Sequence, residues 1–352
     1  MTNTDKHSKE YNILGIMSGT SLDGLDLALC SFRYERGRWH YVICDALTLP
    51  YNEGWKSRLQ NAPNLSGMEL ALLDREYGEY IAQAAKDFIR HRQLDLIASH
   101  GHTVFHRPEL KMTMQIGHAA PIAALTALPV VSDFRSMDVA LGGQGAPLVP
   151  AGDELLFGEY DYCLNLGGFA NISCKKNNKR IAWDICPANI ILNKLAPPCD
   201  KDGKKGRSGK LNNELLKELN SLLYYHKAPP KSLGREWLEA NFESVLNKFS
   251  LSEEDMLRSI YEHIGIQISS SVVSEGNVLV TGGGAWNSFL MEIIRSKSSA
   301  NFIIPDEKLV NYKEALIFAF LGLLRIKNEI NCLASVTGAS KDSSGGSVVG
   351  II

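Results

Sequence analysis

Two parts of this chain open on the same local order: a strand-like run, a tight turn containing glycine, and further strand-like runs. In the first part, residues 11–17 and 25–32 flank the turn Ser18-Gly19-Thr20-Ser21-Leu22-Asp23-Gly24, and residues 39–47 follow after a short charged turn. In the second, residues 160–166 lead into Gly167-Gly168, then residues 170–174 and 180–185. Three successive strands on short connections make an antiparallel meander. A meander that occurs twice, each time continued by helices and more strands, confines the chain to an α/β architecture with an internal duplication. The length of 352 residues exceeds what one hydrophobic core usually serves, so two domains are expected. The Gly- and Pro-rich segment at residues 141–150 breaks both helix and strand patterns and is read as the crossing region. Residues 1–134, joined by the C-terminal segment 335–352, are expected to form one domain, and residues 135–334 the other.

Helices are read from periodicity. Ser66-Gly67-Met68-Glu69 has the form of a capping box, and Leu70, Leu73, Tyr77, Ile81, Ala84 and Phe88 then recur at spacings of three and four. Further helices are expected over residues 211–225, 233–248, 253–273, 288–295 and 312–325, with short strands at 277–280 and 301–304. Residues 200–210 read as a flexible charged loop, and the Ser/Gly-rich stretch 340–347 as a mobile tail.

The formal net charge of −2 argues against a broad nucleic-acid or membrane-surface field, so a small-molecule partner is expected. The first residues lack the basic and apolar regions of a secretion signal, and the apolar run at 315–324 is too short to span a bilayer; a cytoplasmic protein is expected. Seven scattered cysteines with no C-x-x-C pair give no disulfide framework and no zinc ribbon.

Several residues suggest chemistry. Glycine admits close backbone approach, and Ser and Thr add hydroxyl donors beside main-chain N–H groups, so the turn at 18–24 suits an anion. Asp23 and Asp26 would repel a bare phosphate but suit a Mg²⁺ ion that bridges phosphates; an ordinary solvated hairpin loop is the alternative. His100 and His102, taken as i and i+2 on one strand, share a face with His106 nearby, but no Cys or carboxylate completes a zinc shell. Contacts to a polar substrate, or plain hydrogen-bonded histidines, remain open. Asp184, read as following a strand and beside Trp183 and Ile185, suits a general base with a raised pKa, or else a helix cap. Residues 203–210 fail as a Walker A loop, because the glycine spacing is five rather than four and Leu211 stands where Ser or Thr would bind Mg²⁺. No G-x-S-x-G or H-E-x-x-H motif occurs.

The motifs GIMSGTSLDGLD, SHGHTVFH, DFRSMDVALGGQGAPLVP, NLGGFANIS, PKSLGREW, TGGGAWN, KEALIFAF and SVTGA stand in this order from Gly15 to Ala339. In this the chain resembles the anhydro-N-acetylmuramic acid kinases of the acetate and sugar kinase, Hsp70 and actin superfamily. The resemblance implies duplicated actin-like (ribonuclease H-like) ATPase domains around a central nucleotide cleft. It also implies an ATP- and Mg²⁺-dependent kinase of peptidoglycan recycling that opens the 1,6-anhydro ring and phosphorylates O6, and a homodimer. By resemblance, Gly19, Thr20, Ser21, Leu22, Asp23, Gly24, Leu25 and Asp26 bind the ATP phosphates, with Asp23 on the metal. Gly167 and Gly168 form the matching turn of the second domain, and Gly282, Gly283, Gly284 and Asn287 line the adenosine pocket. His100, His102, Thr103, Arg135 and Asn189 lie on the sugar side, Asp184 is the base, and Glu314 helps hold the attacking water and Asp184.

The chain departs from the family at the base, where D-T-G-P-G-N is replaced by Asp184-Ile185-Cys186-Pro187-Ala188-Asn189. Side chains at Cys186 and Ala188 are expected to intrude where backbone approaches the substrate, and Ile185 to remove a hydroxyl. Asn193 stands where the family usually has Asp. These departures keep two alternatives in view: a related kinase for another sugar, and an actin- or Hsp70-like ATP-binding switch.

Overall fold

The computed structural model describes residues 9–19, 22–273 and 275–350, and the chain divides into two compact units. Unit 1 comprises residues up to Leu156 and from Tyr312 onward, and unit 2 runs from Phe157 to Asn311.

Unit 1 holds β1 (Glu10–Ser18), β2 (Gly24–Glu35), β3 (Arg38–Pro50), β4 (Leu96–Ser99), a separate hairpin of β5 (His102–Arg107) and β6 (Met112–Ile116), and β7 (Val130–Ser132). Unit 2 holds β8 (Tyr162–Leu166), β9 (Phe169–Lys176), β10 (Lys179–Pro187), β11 (Asn277–Thr281) and β12 (Asn301–Ile303); β13 (Ser347–Val349) returns to unit 1. The main sheet of unit 1 has the order β3-β2-β1-β4-β7-β13, and that of unit 2 the order β10-β9-β8-β11-β12. In each, the first three strands form the antiparallel meander and the next two run parallel to the first. The same strand plan is thus used twice, with hydrophobic runs that pack on both sheet faces. Among the described residues, no helix is long and apolar enough to cross a membrane.

Each unit has its own core. In unit 1 the helix Gly67–Ile89, opened by the expected Ser66/Glu69 capping box, lays Leu70, Leu73, Tyr77 and Ile81 on the sheet beside Leu14, Ile16 and Leu27. In unit 2 the helices Glu253–Ser271 and Ser288–Ser296 cover a sheet lined by Leu164, Ile172 and Val280.

The boundaries differ from those expected at 134/135 and 334/335. The helix Val149–Leu156 stays with unit 1 because Gly152 lies against Ile317 and Asp153 forms a buried 2.7 Å ion pair with Lys313. The second crossing falls where the helix Glu307–Ile326 bends at Tyr312.

Other expectations are also corrected. The charged stretch 200–210 is folded: the Asp200 carboxylate accepts the N–H groups of Lys205 and Gly206, and Gly206 packs on the Tyr261 ring. The helix expected over 211–225 is confined to Asn213–Asn220, and that over 233–248 begins at Arg235 and contains a wide turn at Leu238–Glu243. The Ser/Gly-rich tail is held by the Cys332–Ser343 bridge, by Arg325 Nε donating to the Gly346 carbonyl, and by β13 pairing with β7. Its small residues allow this, since Asn331 hydrogen-bonds both main-chain groups of Gly345.

Candidate active site

In unit 1 the polar residues collect at the carboxyl ends of β1, β4 and β7, the edge where open α/β sheets place their ligands. At the end of β4 the chain turns sharply through Gly101, whose φ of +74° favours glycine. His100 and His102 therefore do not share a strand face, contrary to expectation: His100 ends the β4 exit and His102 begins β5. Arg135, just beyond β7, donates from Nε at 3.0 Å and Nη2 at 2.8 Å to His100 Nε2, and from Nη1 at 2.6 Å to the Gly145 carbonyl. His100 Nε2 is thus an acceptor, and Nδ1 carries the proton donated to the Gly101 carbonyl at 2.9 Å. Burial and the Arg135 charge push the His100 pKa well down, so it stays neutral. Burial also lowers Arg135 to about 10, opposed by Glu314, and leaves it a cation at neutral pH.

Behind Arg135 stands Asp138, which is 1% exposed. Its Oδ2 accepts the Gly145 N–H at 2.7 Å, while Oδ1 accepts the Thr337 hydroxyl at 2.7 Å and the Cys332 thiol at 3.1 Å. The loop whose carbonyl grips Arg135 is thereby tied to the C-terminal motif SVTGA. Thr103 lies half-buried on β5, 3.5 Å from the Gln115 amide.

At the end of β1, Ser18 bonds His102 Nδ1 at 3.1 Å and accepts from the Tyr51 hydroxyl at 2.8 Å. Of the expected phosphate turn, Thr20 and Ser21 lie outside the described residues. Gly19 is partly open and Asp23 exposed. Among the described residues of the turn, Leu22 is left-handed, with φ of +60°, and neither glycine is. Gly24 and Leu25 are buried in the hairpin, and a Cβ on Gly24 would meet the Leu49 carbonyl at 2.6 Å. Asp26 accepts the Thr48 hydroxyl at 2.6 Å, and burial, reinforced by Asp23, raises its pKa. Glu314 is open to solvent, yet the dense protein around it raises its carboxyl pKa against the pull of Arg135, with Asp26 adding to the rise. Among the described residues, no cluster of three or more His, Cys, Asp or Glu side chains could hold a metal by itself.

In unit 2, Asp184 lies within β10 rather than after it. A bulge between Asp184 and Cys186 breaks the alternation of the strand. Ile185, Cys186 and Ala188 consequently all turn into the hydrophobic core, so the expected intrusion of Cys186 and Ala188 toward the substrate does not occur. The Asp184 main chain is held by its N–H on the Lys231 carbonyl at 3.1 Å and by the Tyr224 hydroxyl on its own carbonyl at 2.6 Å. Its side chain takes the Leu233 N–H on Oδ2 at 2.8 Å, and Oδ1 has no hydrogen-bond partner among the described residues. Desolvation raises its pKa, and the Leu233 donor partly offsets the rise. Lys231 and Leu233 belong to the motif PKSLGREW, whose place in the ordered series was its only sequence signal.

Around the carboxyl end of β8, Gly167 and Gly168 accept from the N–H groups of Asn189, Ala188 and Ile190, and Asn189 Nδ2 donates to the Leu166 carbonyl at 2.9 Å. Gly282 and Gly284 are pressed on Leu166, with a Cβ at either position 2.8 Å from it, whereas Gly283 faces open space. Asn287 caps the helix Ser288–Ser296 through the Leu290 N–H and donates to Tyr261 Oη at 2.8 Å. Of the three glycines expected to line the adenosine pocket, Gly283 has an open face, whereas Gly282 and Gly284 admit protein instead; Gly168 is also uncrowded, its added Cβ coming no nearer than 3.7 Å to Ile190.

Residues 11–350 match the family model for anhydro-N-acetylmuramic acid kinase. Curated proteins of that name are similar over nearly the full chain. The one from Sulfurimonas denitrificans is 34% identical, covering 95% of this chain and 98% of its own. The one from Shewanella sp. (strain ANA-3) is 35% identical over 96% and 97%, and that from Mannheimia succiniciproducens 33% over 96% and 98%.

Proposed function

This chain belongs to the anhydro-N-acetylmuramic acid kinase family, and from that premise we propose that it converts 1,6-anhydro-N-acetylmuramic acid, ATP and water to N-acetylmuramic acid 6-phosphate and ADP. The observation that carries the mechanism is the Asp184 carboxylate: one oxygen is fixed by the Leu233 N–H, the other has no partner among the described residues, and desolvation raises its basicity. Asp184 takes a proton from water as the water oxygen bonds to the anomeric carbon and the C1–O6 bond breaks. O6 then bonds to the γ-phosphorus as the bond to ADP breaks, so the leaving atom of one step is the nucleophile of the next.

Within unit 1, Arg135, with N–H groups left over after His100 and Gly145 are served, is a donor for sugar oxygens, together with His102 and Thr103. His100 orients Arg135, and Glu314 acts on the water. Asp23 in the turn and Asp26 near the start of β2 are hard oxygen donors and would hold Mg²⁺ together with the ATP phosphates; the ion would supply neutralisation of phosphate charge. In unit 2, the turn Gly167-Gly168 and Gly283 are the backbone surfaces offered to the nucleotide. The homodimer, cytoplasmic location and role in peptidoglycan recycling belong to the same proposal.

A kinase for another sugar was suggested by the altered turn after Asp184. The burial of Ile185, Cys186 and Ala188 in the core counts against it, because none of the three side chains intrudes on a substrate. Incubation with the anhydro sugar, ATP and Mg²⁺, followed by mass spectrometry, should give the 6-phosphate, with one ¹⁸O at the anomeric position in labelled water. Absence of ADP and of the product with this sugar would refute the proposal, and nucleotide binding without turnover of any sugar would favour the ATP switch.

A further inference from the structure

A chain of four buried groups runs from the helix Gly67–Ile89 to His102. The Tyr77 hydroxyl meets that of Tyr51, Tyr51 donates to Ser18 Oγ at 2.8 Å, and Ser18 Oγ lies 3.1 Å from His102 Nδ1. We propose that Tyr77, Tyr51 and Ser18 form a one-way hydrogen-bond relay that holds His102 in the Nε2–H tautomer and so presents it as a donor to an oxygen acceptor of the sugar.

The direction follows from counting protons. Tyr77 is fully buried, and its hydroxyl has only the oxygens of Tyr51 and Ser18 within the network. Its proton therefore points into the chain. A reversed chain, with His102 Nδ1–H donating to Ser18, Ser18 to Tyr51 and Tyr51 to Tyr77, would need Ser18 to donate to Tyr51, against the geometry of that bond, in which Tyr51 is the donor. With Tyr51 donating, the Ser18 proton has His102 Nδ1 as its acceptor, and Ser18 is itself 2% exposed. Nδ1 is then the acceptor and Nε2 carries the hydrogen. His102 Nε2 has no partner among the described residues and is not closed off from solvent, although the residue is only 5% exposed.

Two further facts agree with this assignment. Burial lowers the His102 pKa to about 4 and raises that of Tyr51 to about 12, so at neutral pH the imidazole is uncharged and the phenol keeps its proton. His100 has the opposite tautomer, Nδ1–H, imposed by Arg135. Two histidines two residues apart are thus set to different tasks: His100 orients Arg135, and His102 offers N–H. A group so held recognises carbonyl, ether or carboxylate oxygens and does not serve as a base. Tyr51, Tyr77 and Ser18 are positioning residues, acting through His102.

The test is long-range ¹H–¹⁵N correlation on the ligand-free, full-length protein labelled at histidine, with the His102 signals assigned from His102→Gln. Wild type should show Nε2–H alone. Tyr77→Phe should leave it unchanged, because Tyr51 remains the first donor, whereas Tyr51→Phe and Ser18→Ala should give a mixture of tautomers. An Nδ1–H signal in wild type, or an unchanged spectrum in both of the latter variants, overturns the relay. The role toward the sugar rests on the kinase reading. There Tyr51→Phe should raise KM for the anhydro sugar about 3- to 10-fold and Tyr77→Phe should not; an unchanged KM in Tyr51→Phe overturns that role. Failure of wild type to turn over the sugar would refute the kinase reading and leave the spectroscopic result standing.

Discussion

Replacing Asp138 by Asn changes one oxygen to an amide and tests how the Arg135 arm is held. The carboxylate serves three donors at once: the Gly145 N–H and the Thr337 hydroxyl, both at 2.7 Å, and the Cys332 thiol at 3.1 Å. Either orientation of an amide sets its NH₂ against one side. Facing Gly145, it opposes donor to donor; facing Thr337 and Cys332, it displaces two protons that had a common acceptor. A hydrogen bond to a charged group contributes about 1.5–3 kcal/mol, and a buried donor left unsatisfied costs about 1–3 kcal/mol. Partial relief comes from Thr337, which already lies 3.3 Å from the Leu333 carbonyl. We therefore expect a loss of about 3 kcal/mol. For a unit of this size each kcal/mol moves Tm by about 2–4 °C, so the transition of unit 1 should fall by roughly 6–12 °C in calorimetry. The same variant should raise KM for the sugar, because Arg135 Nη1 depends on the Gly145 carbonyl. A Tm within about 2 °C of wild type together with an unchanged KM would refute the reasoning.

Asp184→Asn should abolish turnover while nucleotide binding, followed by calorimetric titration, persists; near-normal turnover would contradict its assignment as base. Because desolvation holds the Asp184 carboxyl above the ordinary aspartate range, its base form is lost on acidification sooner than that of an exposed aspartate. The acid limb of kcat/KM should accordingly lie above that range, and a limb at or below it would count against Asp184. Lys313→Met leaves the buried Asp153 carboxylate without its 2.7 Å ion pair and should destabilise unit 1 by about 3–5 kcal/mol, read by denaturant unfolding; a change below about 1 kcal/mol would show the pair to be dispensable. Gly15→Ala drives a Cβ into the Ala315 carbonyl, backbone against backbone, and should cost about 3 kcal/mol or prevent soluble expression; a wild-type melting curve would show that β1 and the helix can separate freely.

The meanders, the capping box at Ser66 and the paired glycine turns could be read from the chain because each is decided within a few residues, by side-chain period, by a cap or by backbone freedom. The stretch 200–210 misled because its composition is that of a solvated loop, while the carboxylate and aromatic ring that fold it come from Asp200 and from Tyr261, 61 residues apart. At residues 185–188, strict alternation would have put Asp184 and Cys186 on one face. One bulge sent Cys186 inward, and no local sequence rule announced it.

The candidate site divides in the same way. Asp184, Arg135 and the histidines were identifiable by residue type and by their place in an ordered series of motifs. Their states were not, because each is imposed by a partner distant in sequence: Leu233 on Asp184, Arg135 on His100, Tyr51 and Ser18 on His102, and Thr337 on Asp138 across 199 residues. The sequence by itself determined that the chain would form two similar α/β units and which polar groups stand at their strand ends, since periodicity and turn chemistry are local. Only the tertiary structure decided which imidazole accepts and which donates, which glycines face open space, and which way the altered turn points. Burial and hydrogen-bond direction depend on neighbours that only folding brings within 3 Å.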